Sequence, residues 1–302
     1  MNSIILSILS IYVFIVMGYI AKKSFQDKID DRTITLINVY FLQVFLTFWG
    51  LLLHPIDISL LYAPSLYFVI VVFVIVLAAF GAKFLFENKK EYSIATVASI
   101  IGNTGNLGIP INIAIFGEAS IPYTTIINLA NVFVVYTLGV FYYSRGSFNT
   151  KSSLLNIVKL PILWAAIVAI LLSIYQIPIH KSIMNMLMMG AYASMTMQLF
   201  LFGIYLHGTD IRTINKTLIA WVVVFKFLIL PLTAFVVLAN SELQSMLKGI
   251  IFIELLMPLA VANVNLASLY DCKPKLTTSL VFISSFLFLG VIFLGVQIVP
   301  YL

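Results

Sequence analysis

Hydrophobic residues run along this chain in long blocks separated by short polar breaks. The blocks fall at 4–21, 33–53, 60–86, 92–116, 121–144, 154–175, 182–206, 215–238, 245–269 and 277–299. Most are close to the ~20 residues an apolar helix needs to cross a bilayer. The pattern therefore predicts ten membrane-spanning helices. The longest polar breaks, 22–32, 144–153 and 208–216, are too short for a soluble domain. The first block lacks a basic stretch before it. Lys22 and Lys23 follow it in place of a small-residue cleavage site, so it reads as a retained helix.

Composition agrees with the pattern. The chain is 62% hydrophobic and 9% charged, against roughly 45–50% and about 25% in soluble domains. The charge also sets an orientation. Of the 17 Lys and Arg residues, only Lys181 and Lys248 adjoin even-numbered loops, and Lys226 lies within a span. All the others adjoin odd-numbered loops, which the positive-inside rule places in the cytoplasm. Both termini are then expected outside. The net charge of +6 is thus loop charge. No basic run with interleaved aromatics points to nucleic acid. The single cysteine, Cys272, cannot form an internal disulfide.

Five spans precede the 145–153 linker and five follow it, giving halves 1–144 and 154–302. If the halves are repeats, an odd number of helices in each makes them inverted, a recurring plan among secondary transporters. The fourth span of each half carries a break. Gly102, Gly105, Gly108 and Pro110 fall within nine residues, interleaved with Asn103, Thr104 and Asn106. In the second half Met257-Pro258 is followed by Asn263 and Asn265. Proline removes a backbone donor and clashes with the preceding turn, and backbone freed at this depth must find partners in protein, water or ligand. Such breaks serve either as kinks for close packing or as binding sites built on half-helix ends.

Glu254 and Lys226 are the clear mid-membrane charges. Charges at that depth are functional candidates by default. The two residues either neutralise one another structurally, or Lys226 meets an anionic substrate, or Glu254 carries a coupling proton or sodium ion. The histidines, His54, His180 and His207, stand at span ends and read as interfacial. Trp49, Trp164 and Trp221 read as anchors or packing residues. No Ser/His/Asp set, carboxylate pair or metal cluster suggests an enzyme or a cofactor.

The stretch GNTGNLGIPINIAIFG from Gly102 to Gly117 resembles the auxin efflux carrier family, which carries an Asn-Thr pair and a Gly-Ile/Leu-Pro in its fourth span. Lys226-Phe-Leu-Ile-Leu-Pro231, Met257-Pro258-Leu-Ala-Val, Tyr270-Asp271 and Gly203 agree with further family segments. Departures occur at Phe45-Leu46-Thr47 and Met197, where the family often has proline. Asn106 stands where the family has an apolar residue, and Glu254 where it has a neutral or amide one.

The resemblance implies an all-α fold of two inverted five-helix repeats, similar to the bile-acid sodium symporter and sodium–proton antiporter architecture. Spans 4 and 9 would cross at their broken centres. Spans 1, 2, 6 and 7 would form a scaffold, and spans 3–5 and 8–10 a moving transport domain. Asn103, Pro110, Pro258 and Asn263 would line the crossing, with Thr104, Gly105, Asn106, Gly108, Asn265 and Lys226 completing the substrate site. The implied function is elevator-type transport of malate-like, malonate-like or auxin-like anions in a bacterial inner membrane, with room for a homodimer through the scaffold. The alternatives are an exchanger with Glu254 as ion carrier, and a membrane sensor that binds without transporting.

Overall fold

The computed structural model describes residues 2–53, 62–207 and 215–302, with side chains from residue 13 onward. His54 and Arg212 lie outside the described residues. Thirteen helices are described: α1 Asn2–Phe25, α2 Asp31–Leu52, α3 Tyr62–Leu85, α4 Lys89–Val97, α5 Thr104–Phe116, α6 Glu118–Arg145, α7 Thr150–Lys159, α8 Pro161–Ile174, α9 Lys181–Leu206, α10 Lys216–Ala239, α11 Ser245–Leu256, α12 Ala262–Leu269 and α13 Pro274–Tyr301. Six of them, α2, α3, α6, α9, α10 and α13, are long and apolar enough to cross a membrane. α7 and α8, bent by 50°, pass the same test only together, which makes up to seven candidate spans among the described residues. Phe80 and Phe84 on α3 and Leu294 on α13 stand well exposed, as side chains that meet lipid do.

Short polar residues start the helices. Asp30, Asn88, Asn149 and Asn215 each accept a hydrogen bond from a first-turn amide of α2, α4, α7 and α10, which satisfies an otherwise orphaned donor. The Asn149 cap corrects one boundary. Residues 150–153, expected in the polar linker, already belong to α7, so only 146–149 lie between α6 and α7. Pro161 then supplies the bend. It has no N–H to continue the ladder and holds Leu160 extended, at ψ 122°.

Two packed sets of helices emerge. α1, α2, α8 and α9 form one. Gly18 and Gly203 let α1 and α9 touch backbone to backbone, since a Cβ at either would stand about 2 Å from the facing carbonyl oxygen. α3–α6 and α10–α13 form the other. The 92–116 and 245–269 runs both belong to this second set, and each is interrupted: α4 stops before Ile101–Asn103, and α11 before Met257–Val261.

The two interruptions meet. Asn103 N–H donates to the Pro258 carbonyl at 2.8 Å, and Ala260 N–H to the Ile101 carbonyl at 2.9 Å. Gly102 and Leu259 thus form an isolated antiparallel bridge. Side chains from neighbouring helices satisfy what remains. Asn131 Nδ2 donates to the Gly102 carbonyl at 2.9 Å, Asn263 Nδ2 to the Ile101 carbonyl at 3.1 Å, and Leu259 N–H to Ser284 Oγ at 3.1 Å. Buried backbone polar groups need such partners.

Candidate functional site

A cavity of about 310 Å³ lies where the two sets face one another. One wall comes from α2 and α9, including Gln43, Thr47, Trp49 and Gln198. The other comes from the first interruption and α6. The volume is at the small end of the ~300–1,000 Å³ typical of ligand sites. Its lining among the described residues holds amides, hydroxyls and apolar groups, with no charged side chain among them.

α5 begins on this wall. Leu107 and Gly108 N–H both reach the Asn103 carbonyl. The amides of Thr104, Gly105 and Asn106 have no backbone acceptor among the described residues, as the first turn of any helix leaves them. The positive end of the helix dipole therefore lies at the cavity wall, an arrangement suited to an anion. Residues 104–108 form a π turn immediately ahead of Pro110, and 225–229 form another ahead of Pro231. In both cases the chain widens next to a residue that cannot donate.

The hydrogen bonds behind this wall hold it rigid. Tyr67 OH donates to Asn131 Oδ1 at 3.0 Å, and Asn131 Nδ2 donates to Thr104 Oγ1 at 2.9 Å. Thr104 Oγ1 donates to Asn128 Oδ1 at 2.7 Å. A Cβ at Gly105 would come within 3.1 Å of that same oxygen. The side-chain amides of Asn103 and Asn106, on the cavity wall, make no hydrogen bond among the described residues. Asn103 also borders a second void of about 30 Å³, with Ile15, Phe202 and Phe288. That is room for about one water.

Of the site residues expected from sequence, the cavity brings together Asn103, Thr104, Gly105 and Asn106. The others stand elsewhere. Pro110 is exposed on α5 and is not part of the cavity lining. Pro258 contributes its carbonyl to the crossing and does not reach the cavity. Asn263 is fully engaged in structure: besides the Ile101 carbonyl it donates to Ala260, and it accepts from Tyr143 OH at 2.9 Å. Asn265 is buried away from the cavity, its amide without a partner among the described residues. Gly108 lies against Glu254, where a Cβ would stand 2.2 Å from Oε2.

Lys226 is buried, at 1% exposure, and lies behind the wall. Its Nζ would be 3.2 Å from a Cβ on Gly102. Among the described residues, ion pairs join Lys22 to Asp31, Lys90 to Asp271 and Lys273 to Glu91. Lys226 and Glu254 make no such contact, although the two side chains interact electrostatically. Trp49 packs against Tyr192 at a ring distance of 5.6 Å and also borders the cavity. His180 caps α9, and His207 stacks edge-on with Tyr19 at 5.3 Å.

Sequence reading missed Gln43, Thr47, Asn128, Asn131, Tyr136 and Gln198. A signal was present: Gln43 and Thr47 are spaced i,i+4 and Asn128 and Asn131 i,i+3 within apolar helices, which puts each pair on one face. Asn112 was missed as well. Its Nδ2 donates to Glu254 Oε1 at 2.8 Å and to the Gly108 carbonyl at 3.0 Å.

Long apolar helices, two interrupted runs meeting inside the protein and a polar cavity between two helix sets define a multi-pass membrane protein of the transport class. The comparison with known families agrees. The model described as "Membrane transport protein" matches residues 3–150 and again 145–294, and the chain belongs to that family. This is the auxin efflux carrier family that the Gly102–Gly117 motif resembles. A relative, the uncharacterized transporter MJ1031 of Methanocaldococcus jannaschii, is 26% identical over 291 residues, covering 92% of this chain and 93% of its own length.

Proposed function

We propose that this protein is a ten-span secondary transporter of small organic anions, with malate-like or malonate-like carboxylates and auxin-like acids as the substrate class. The observation that carries this reading is the start of α5. The first-turn residues Thr104, Gly105 and Asn106 and the free side chain of Asn103 lie on the wall of a small cavity with no charged side chain among the described residues of its lining, and the Lys226 ammonium stands just behind Gly102. Donors without a competing negative charge favour a carboxylate. Under this reading α1, the paired α4–α5 and the paired α11–α12 are spans as well, in two inverted repeats of five. The two family-model matches, one to each half, support it.

The set α1, α2, α8 and α9 would be the scaffold, and the set carrying the crossing would move against it. The distribution of basic residues supports odd-numbered loops in the cytoplasm of a bacterial cell, with both termini outside. The cavity, formed by the later part of α2 and the earlier part of α6, would then face outward. A homodimer through the scaffold fits the same plan.

Uptake of radiolabelled malate, malonate and an indole carboxylate into proteoliposomes, with and without proton and sodium gradients, tests this. Saturable uptake that Asn103→Ala removes is the expected result. Binding without flux would leave a sensor, and neither binding nor flux by folded protein would remove the anion reading. A second reading, an ion-coupled exchanger, draws support from Glu254, a fully buried carboxylate without an ion pair among the described residues.

A further inference from the structure

Asn112 on α5 and Glu254 on α11 join the two interrupted runs away from the cavity. Both side chains are fully buried, at 0% exposure. One hydrogen bond links them, from Asn112 Nδ2 to Glu254 Oε1 at 2.8 Å. The other atom of each planar group, Asn112 Oδ1 and Glu254 Oε2, has no partner among the described residues. The orientation of the amide is fixed by its second bond, to the Gly108 carbonyl at 3.0 Å. Turning it over would set oxygen against oxygen. Gly108 leaves the space the carboxyl group occupies.

Two orphaned acceptors on side chains already joined by one bond supply the atoms that an acid–amide ring needs. In the complete ring the acid carbonyl accepts from the amide N–H, and the acid O–H donates to the amide oxygen. A protonated carboxyl has one O–H to give, so a single proton on Oε2 satisfies both orphans. Each unmet buried acceptor is otherwise destabilising, and more so where it is charged. A metal cation is a poorer occupant. It would find only two side-chain oxygens and would lie near the Lys226 ammonium, which interacts electrostatically with Glu254.

We propose that Asn112 and Glu254 form a buried single-proton site linking α5 to α11, and that its occupancy is the coupling step of transport. The coupling clause rests on the transport reading; the proton site itself does not. Glu254 takes its proton from water and becomes the neutral acid. It returns the proton to water as the carboxylate re-forms, and no other bond changes. Lys226 from α10 and Tyr67 from α3 are the titratable side chains that interact with it. The neutral Asn112 comes from α5, and α6 and α13, also packed on α11, present no titratable group to it among the described residues. The cavity wall and the proton site are carried by one helix, Thr104–Phe116, eight residues or about 12 Å apart. A shift of α11 against α5 is therefore felt at both.

Infrared difference spectra of the full-length protein in lipid, recorded between acid and alkaline pH, test the site. A protonated-carboxyl C=O band is expected, lost in Glu254→Gln and moved to higher frequency in Asn112→Ala as the hydrogen bonds disappear. Glutamate isotope labelling of the unsubstituted protein identifies the band if either variant fails to fold. Absence of a glutamate acid band at every pH where the protein stays folded would overturn the proposal. So would a Glu254 carboxylate signal that responds to added sodium chloride and not to pH. In proteoliposomes Glu254→Gln should lose the response of uptake to a pH gradient, and an unchanged response would remove the coupling role. A Glu254 band in protein that moves none of the tested anions keeps the proton site and removes the anion reading. Uptake without the band does the reverse.

Discussion

Individual polar side chains in this molecule divide into those that hold the crossing and those that face the cavity, and substitution separates the two. Asn263 ties Ile101, Ala260 and Tyr143 together. Asn263→Ala leaves buried partners unmet, and a loss of about 1–3 kcal/mol is expected, read as a lower unfolding temperature in detergent. Asn103→Ala removes a side chain with no such partners, so the unfolding temperature should hold while uptake falls. Equal destabilisation by both would return Asn103 to a structural role. Lys226 stands behind Gly102, so under the anion reading it would act on the cavity at one remove. Lys226→Gln is expected to raise the KM for a carboxylate by about tenfold, equivalent to about 1.4 kcal/mol, with membrane insertion intact. An unchanged KM would mean the ammonium does not reach the substrate electrostatically.

At the scale of elements, breaks and turns have identifiable causes. Pro110 and Pro231 each follow a π turn, and Pro161 bends α7 against α8. Gly117 makes the turn from α5 into α6 at φ +80°, a left-handed conformation that costs glycine nothing. The loop between α12 and α13 is pinned by Lys90–Asp271 and Lys273–Glu91, with Cys272 packed beneath it on Gly146. Burial pushes the Cys272 thiol up to about 12, which leaves little thiolate at neutral pH. Maleimide labelling of the folded protein should therefore be slow and become rapid on denaturation. Fast labelling of native protein would show that this loop opens.

For the whole molecule, the interface between the two helix sets is the surface on which transport would turn. Among the described residues, Tyr136 on α6 donates across it to Gln43 on α2, and Tyr205 on α9 makes a very short contact with Ser268 on α12. A single interface of this kind can slide as a unit, since packed elements shift between discrete arrangements. Tyr205→Cys with Ser268→Cys, in a Cys272→Ala background, can be joined by a short cleavable bifunctional thiol reagent. Uptake should stop on joining and return on cleavage. Full uptake by the joined protein would sink the moving-domain mechanism.

The sequence by itself determined the helical, membrane-embedded character of this protein, its two interrupted runs and its family. These follow from local quantities: runs of apolar residues, glycine and proline that weaken a helix wherever they stand, and a contiguous motif from Gly102 to Gly117. Tertiary structure decided which polar residues share a space. Whether Asn103 faces a cavity while Asn263 is tied down depends on helix rotation and on what lies opposite. Whether Glu254 meets Lys226 or Asn112 depends on how α5, α10 and α11 pack. Gln43 and Gln198 come to the wall from helices far along the chain. Those outcomes are set by long-range contacts, and no spacing within one segment encodes them.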